Sequence, residues 1–99
     1  MTEKTALVVT ADVNAEEMAS VQECLGGVLP LLMGAGGKLV KRLKVDKGLH
    51  GTANGMVLVM DFDSSKAVTE MFESEAYAAL VPVRDKGFAQ MNIQLTHEM

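Results

Sequence analysis

Tyr77 and Arg84 are the two side chains of this sequence best suited to act on a small molecule. They lie seven residues apart, and in a continuous helix that spacing places two side chains on one face, two turns apart. A phenol and a guanidinium together can bind a carboxylate or an enolate-like oxygen. The alternative is structural: a packed tyrosine, and an arginine paired with Asp12 or Asp85. Pro82 lies between the two residues, and a helix broken there would separate them.

His50 is a further candidate because it lies in the glycine-rich connection 46–55. We expect this connection to be a mobile loop at the mouth of a cleft, and loops often carry functional residues. A single loop histidine is also commonly just solvated. The sequence contains no histidine, cysteine or carboxylate pattern with metal-ligand spacing, and its glycines fit neither a phosphate-binding loop nor a dinucleotide fingerprint. We therefore predict no metal and no other cofactor.

Two features of the composition each have a functional and a structural explanation. The eight methionines could line an adaptable pocket, with Met56 and Met60 on one strand face, or could fill gaps in the core. The stretch from Lys38 to Lys47 holds five of the nine basic residues. That run suits either an anion-binding surface or a solvated edge strand.

The overall composition is that of a folded, mildly acidic protein. Apolar residues make up 48% of 99 residues and the formal net charge is −4, which disfavours both disorder and general nucleic-acid binding. Cys24 is the only cysteine, so no internal disulfide can form and a reducing, cytoplasmic setting is favoured. The most apolar window, 25–36, contains a proline and is much shorter than the ~20 residues of a membrane span. We predict one domain over residues 1–99, without a membrane segment.

Hydrophobic periodicity predicts the order strand, helix, strand, strand, helix, strand. Four apolar runs are typical of strands: 5–11, 38–45, 56–62 and 88–96. Apolar residues at spacings of three and four predict a helix that begins after Asn14 as N-cap, kinks at Pro30 and ends at Gly36. A second helical region, in two pieces, follows Phe62.

This β-α-β-β-α-β order is that of a ferredoxin-like α+β fold with a four-stranded antiparallel sheet. The first and third strands are expected in the centre because they are apolar at consecutive positions. The second alternates, with Leu39 and Leu43 on one face and Arg42 and Lys44 on the other, as is typical of an edge strand. Two helices cover only one face of such a sheet. A second copy of the sheet is the simplest cover for the other face, which predicts a homodimer.

The segment from Phe62 to Arg84 resembles the signature of a bacterial family known as domain of unknown function 1330 (DUF1330). That signature has a phenylalanine and a serine, then alanines, an aromatic residue, and Ser-x-x-Tyr-x-x-Leu-x-x-x-Arg. The matching residues here are Phe62, Ser64, Ala67, Phe72, Ser74, Tyr77, Leu80 and Arg84.

The resemblance implies a dimeric α+β barrel with a cleft between sheet and helices, similar to small heme-degrading and antibiotic-biosynthesis monooxygenases. It implies no agreed activity. We predict a homodimer that binds a small organic molecule in a cleft near Tyr77 and Arg84, with His50 and Ser64 as further candidate ligand-binding residues. The alternative is a cofactor-independent enzyme, monooxygenase- or isomerase-like, acting on a small aromatic or enolisable substrate. A purely structural dimer is the third possibility.

Overall fold

The computed structural model describes residues 5–51 and 55–99. Their strands and helices follow the predicted order. The elements are β1 (Thr5–Val13), α1 (Met18–Gly34), β2 (Lys38–Lys44), β3 (Met56–Phe62), α2 (Ser65–Phe72), α3 (Glu75–Ala78), α4 (Val81–Gly87) and β4 (Phe88–Thr96).

The four strands form one antiparallel sheet in the order β2-β3-β1-β4. The first and third strands are central and the second and fourth are edges, as the sequence predicts. The bounds of β3 and β4 coincide with their predicted ranges, while β1 continues to Val13. The chain therefore has the ferredoxin-like α+β fold.

The helices cover one face of the sheet, and the core lies between them and the central strands. Alternate residues of β1 and β3 are buried on this face: Leu7, Val9, Ala11, Leu58, Met60 and Phe62. The intervening residues Val8, Thr10, Val57 and Val59 point to the opposite face, which we call the open face, and are half-buried there. The third strand thus turns its valines away from the helices.

Asn14 and Gly36 have the predicted roles at the two ends of the first helical segment, although α1 itself begins only at Met18. The Asn14 side chain accepts a 3.2 Å hydrogen bond from the N–H of Glu16, and a short 3₁₀ turn precedes α1. Pro30 lies inside α1 without ending it. Gly36 has φ +96° and the N–H of Gly37 donates to the carbonyl of Leu32 at 2.9 Å. A residue in the left-handed region commonly closes a helix in this way.

The edge strand β2 departs from the predicted alternation because it contains a bulge. Leu39 and Lys41 lie opposite consecutive residues of β3, so Val40 is the extra residue. Directly opposed residues of antiparallel strands share a face, and the pairing therefore places Leu39 and Arg42 on the helix side and Leu43 on the open face. The prediction that Leu39 and Leu43 share a face was wrong, since one inserted residue reverses the alternation beyond it.

The second helical region contains three short helices where two pieces were predicted. Ser64 caps α2 by accepting a 3.1 Å hydrogen bond from the N–H of Ala67, and Ser74 caps α3 by accepting one of 3.2 Å from the N–H of Tyr77. Pro82 lies in the first turn of α4, where a missing N–H costs no helical hydrogen bond. The proline thus starts a separate helix.

The described part of the connection between β2 and β3 contains no helix or strand. Residues 52–54 lie outside the described residues, so the mobility of 46–55 stays a prediction. Both ends of the connection are held: the N–H of Val45 donates to the carbonyl of Gly55 at 2.9 Å, and the N–H of Gly55 donates to Asp12 Oδ1 at 2.6 Å. Across the described residues, no helix has the length and apolar character needed to cross a membrane.

Candidate functional site

Tyr77 and Arg84 contact each other although they belong to different helices, α3 and α4. Arg84 Nη1 donates a 2.9 Å hydrogen bond to the Tyr77 hydroxyl. The chain keeps a helical path between them, because the N–H of Leu80 donates to the carbonyl of Tyr77 and the N–H of Arg84 donates to that of Leu80, both at 2.8 Å. The helix break at Pro82 therefore does not separate the two side chains.

The position of Tyr77 is fixed by its local sequence and by its packing. The Ser74 cap begins α3 three residues before it. Its ring packs edge-on against Phe72, with centroids 4.8 Å apart and planes at 74°, a favourable geometry for two aromatic rings. The residue is only 6% exposed, so its hydroxyl is held in one place.

Arg84 is partly buried and also bonds Asp85. Its Nε and Nη2 lie 3.1 and 3.0 Å from Asp85 Oδ1, so one of the two aspartates considered from sequence is the partner. Its hydrogen bond to Tyr77 raises the pKa of Arg84 further above the ordinary value, against the opposing effect of burial. These bonds to Tyr77 and Asp85 use three of the five guanidinium N–H groups, which leaves two for another acceptor.

The pair lies on the wall of a small apolar cavity between helices and sheet, which we call the inner cavity, of about 40 Å³. Its other lining residues are apolar side chains of α1, the sheet and α2: Val9, Cys24, Leu25, Val28, Leu29, Leu32, Met56, Leu58, Phe72, Met91 and Ile93. Burial raises the pKa of the Cys24 thiol, and the nearby Arg84 charge only partly offsets this. The inner cavity is far smaller than the roughly 300–1,000 Å³ of typical ligand pockets.

Two wider grooves meet the inner cavity at Arg84. One, which we call the Tyr77 groove, has a volume of about 350 Å³ and runs between α2 and β4. It is lined by Leu7, Val68, Thr69, Phe72, Glu73, Tyr77, Arg84, Ile93 and Leu95. The other, of about 400 Å³, lies between Arg84, Asp85 and the start of β4. Arg84 lines all three spaces and is thus the junction between them.

The other two predicted ligand-binding residues lie elsewhere. His50 is exposed in the connection between β2 and β3, and Ser64 is exposed with its hydroxyl at the α2 cap. Neither lines the inner cavity or the two grooves beside it. The structure therefore brings together Tyr77 and Arg84, and it places His50 and Ser64 outside these spaces.

Sequence reasoning missed two polar residues of the Tyr77 groove, Thr69 on α2 and Glu73 at the C-terminal end of that helix. They lie four residues apart on the helix face that also carries Phe72, and this spacing was the available signal. Among the described residues, no group of three or more histidine, cysteine or carboxylate side chains could hold a metal ion.

The fold and this junction define a ferredoxin-like α+β protein with ligand-sized grooves along the edge of its sheet. The sequence model of DUF1330, described as a domain of unknown function, matches residues 6–99. The chain therefore belongs to the DUF1330 family. A search of the curated proteins returned no match.

Solved structures share the fold at low sequence identity. A protein of unknown function from Rhodopseudomonas palustris has a TM-score of 0.83 and 14% identity, covering 100% of this chain and 85% of that chain. A protein from Caulobacter crescentus CB15, provisionally described as an antibiotic biosynthesis monooxygenase, has a TM-score of 0.71 and 12% identity, covering 99% of this chain and 92% of that chain. A protein from Bacteroides fragilis described as dimeric, with a ferredoxin-like fold, has a TM-score of 0.61 and 10% identity, covering 96% of this chain and 96% of that chain. At these identities the similarity shows the fold alone.

Proposed function

We propose that this protein binds a small organic molecule through an anionic or carbonyl oxygen, with the oxygen at Arg84 and the apolar body in the Tyr77 groove. The observation that carries the proposal is the 2.9 Å contact between Arg84 and Tyr77 at the junction of the inner cavity and the wider grooves. A cation with unused donors at such a junction suits a ligand with one charged end.

The donors of the pair can converge on one oxygen. The Tyr77 hydroxyl accepts from Arg84, so its own O–H hydrogen is directed elsewhere and is free to be donated. The guanidinium contributes the N–H groups that bond neither Tyr77 nor Asp85. Charge-assisted hydrogen bonds of this kind are stronger than neutral ones, and apolar walls such as Phe72 and Ile93 reduce competition from water.

The test is the affinity for an anionic aromatic probe, 8-anilinonaphthalene-1-sulfonate, followed by fluorescence titration. Replacing Arg84→Met should weaken binding by about 1.5–3 kcal/mol, the usual contribution of a hydrogen bond to a charged group. Lys86→Met is the matched control, because Lys86 is a cation of the same helix but does not line the grooves. An equal loss in both variants, or no loss in Arg84→Met, would contradict the proposal.

We also propose that the protein is a homodimer formed through the open face of the sheet. The half-buried valines Val8, Val57 and Val59 lie at its centre, and the bulge in β2 adds Leu43 beside Val57. All of the described helices lie on the other side, so the open face needs a different cover. The centre of the open face is apolar, whereas Thr10, Asn92 and Gln94 beside it are polar. An apolar patch with a polar rim is typical of an interface. The protein from Bacteroides fragilis, which shares this fold, is itself described as dimeric.

A cofactor-independent enzyme is the second candidate, favoured by the free O–H hydrogen of Tyr77. Glu73, the carboxylate of the Tyr77 groove, would accept a proton α to a carbonyl. Tyr77, held by Arg84, would donate its O–H hydrogen to the developing enolate oxygen, where the negative charge accumulates. Turnover of enolisable ketones or quinols should then fall in Tyr77→Phe while the probe still binds. Probe binding without any turnover in the wild type would leave the binding function and remove the enzymatic one.

A further inference from the structure

We propose a second binding site, for an alkyl or acyl carboxylate, in a groove between α1 and β2. This groove, which we call the Arg42 groove, has a volume of about 240 Å³ and lies at the opposite edge of the sheet from Tyr77. Its lining consists of seven apolar residues and one cation: Leu25, Leu29, Met33, Leu39, Met56, Leu58, Met60 and Arg42. It shares Leu25, Leu29, Met56 and Leu58 with the inner cavity, but neither Tyr77 nor Arg84 lines it. Its cation is a different residue, so the two proposals can be tested separately.

The shape of the Arg42 groove suits a slender apolar chain. Its floor is buried, with Leu58 6% and Met60 1% exposed, whereas Met33 on α1 and Leu39 on β2 are 57% and 56% exposed. Large apolar side chains thus remain open to solvent on both helix and strand sides of one channel. Met33, Met56 and Met60 give it adaptable walls, since methionine adjusts readily to irregular ligands. The volume is below the roughly 300–1,000 Å³ of drug-sized pockets, which favours a chain over a fused ring system.

The bulge at Val40 is what directs a cation toward this groove. Regular alternation from Leu39 would place Leu43 on the helix side and Arg42 on the open face. The extra residue reverses this, so Arg42 lies opposite Leu58 on the helix side and lines the groove. Bulges commonly re-aim side chains in this way. The apolar channel therefore has a guanidinium at its edge where a strand without the bulge would supply a leucine.

The charge around Arg42 is complementary to a carboxylate. The stretch 38–47 carries five basic residues and one acidic residue in a protein of net charge −4. Among the described residues, the ion pairs are Lys66–Glu70, Arg84–Asp85 and Lys86–Glu17, and none involves β2. A recess of about 310 Å³ shares Arg42 and Met56 with the groove and adds Lys44. The head group of an amphipathic anion would lie there, with its chain in the groove.

The Arg42 groove opens on the helix side of the sheet, away from the open face proposed for dimerisation. Its occupant is therefore a small molecule that binds each protomer independently of the partner. The combination of an apolar channel and a re-aimed guanidinium beside a basic edge suits a carboxylate with a single unbranched chain.

The experiment is isothermal titration of the full chain with sodium decanoate, compared between the wild type and three variants. Arg42→Met should weaken decanoate binding about tenfold or more, because a charge-assisted hydrogen bond is lost. Lys41→Met is the matched control: it removes the same charge from the neighbouring residue of the same strand, which lies on the open face. Arg84→Met removes the cation of the Tyr77 groove, so the decanoate binding that remains in this variant reports the Arg42 groove. The Lys41→Met control should leave the affinity within about twofold.

The apolar half of the site is tested with Leu39→Asp, which places a negative charge on the exposed rim and should abolish decanoate binding. The trimethylammonium analogue with the same ten-carbon chain should bind far more weakly than decanoate. Absence of decanoate binding to the wild type at millimolar concentration would overturn the proposal. So would an equal loss in Lys41→Met, which indicates general surface attraction, or a loss confined to Arg84→Met, which places the chain in the Tyr77 groove.

Discussion

Arg84 donates a 2.9 Å hydrogen bond to the hydroxyl of Tyr77 across a break between two helices. The contact joins the single tyrosine of the sequence, which is buried, to a cation whose side chain is 27% exposed. The hydrogen bond itself acts within the folded chain and affects stability. The two N–H groups of Arg84 that bond neither Tyr77 nor Asp85 are the ones available to a ligand.

The hydrogen bond between Tyr77 and Arg84 should contribute modestly to stability. We expect Tyr77→Phe and Arg84→Met each to lower the free energy of unfolding by no more than about 1.5 kcal/mol, with a coupling energy near 1 kcal/mol. The partial exposure of Arg84 keeps this value small. Urea denaturation of the two single variants and the double variant measures it. A loss of about 3–5 kcal/mol in Arg84→Met would instead assign the arginine a structural role, as for a broken buried ion pair.

The homodimer should depend on the open face. Val59→Asp places an unpaired charge at the centre of this face. We expect the molar mass measured by light scattering to fall from about twice the 10.6 kDa chain mass to the mass of one chain. Ala19→Asp, on an exposed part of α1, is the control and should stay dimeric. A wild type that is monomeric at micromolar concentration and well folded would remove the proposed interface.

The packing of α4 against α1 should depend on Gly87. A Cβ atom there would lie 2.8 Å from Val21 N and 3.0 Å from Ser20 C, and backbone atoms inside a helix cannot easily move away. We expect Gly87→Ala to lower the free energy of unfolding by about 1–3 kcal/mol. Gly26→Ala should instead raise the free energy of unfolding by up to about 1 kcal/mol. No atom lies within 4 Å of the position its Cβ would take, and alanine favours a helix more than glycine does. Thermal melts that rank the two variants the other way would contradict this packing.

Ser64 can be tested separately as a helix cap and as a ligand-binding residue. Ser64→Ala should lower the free energy of unfolding by about 1 kcal/mol through loss of the N-cap, and Ser64→Asp should retain stability because aspartate also caps. If the hydroxyl serves only the cap, both variants should bind the anionic probe as the wild type does. Weaker binding by the stable Ser64→Asp variant would support the predicted ligand role.

The Cys24 thiol should make stability depend on pH in the alkaline range. Burial holds the pKa of Cys24 above its ordinary value in the folded state, so the unfolded chain releases this proton first. The resulting stabilisation is complete below the unfolded pKa of about 8.5 and is lost as pH rises through the folded pKa. We expect the free energy of unfolding to fall more steeply above about pH 9 in the wild type than in Cys24→Ala. Equal slopes would show that the thiol does not contribute.

The sequence by itself determined the fold, because each signal for it is local. Apolar runs, a serine or asparagine before each main helix, and glycine after the first helix depend on neighbouring residues alone. The order of the strands across the sheet also follows from the sequence. Residues of β1 and β3 are apolar on both faces, and only central strands can bury both faces. The DUF1330 resemblance is local as well, since it rests on residue types at fixed spacings between Phe62 and Arg84.

Only the tertiary structure decided what the site contains. The helix is interrupted at residues 79–80, just before Pro82. Whether the tips of Tyr77 and Arg84 then meet depends on how α3 and α4 pack onto the sheet, which no local spacing encodes. The bulge at Val40 depends on pairing with β3, so the alternation read from the sequence separated Arg42 from Leu39 although the two lie on one face. The grooves are spaces between elements distant in the chain. Side-chain spacing specifies the elements, whereas cavities and contacts between elements arise from long-range packing.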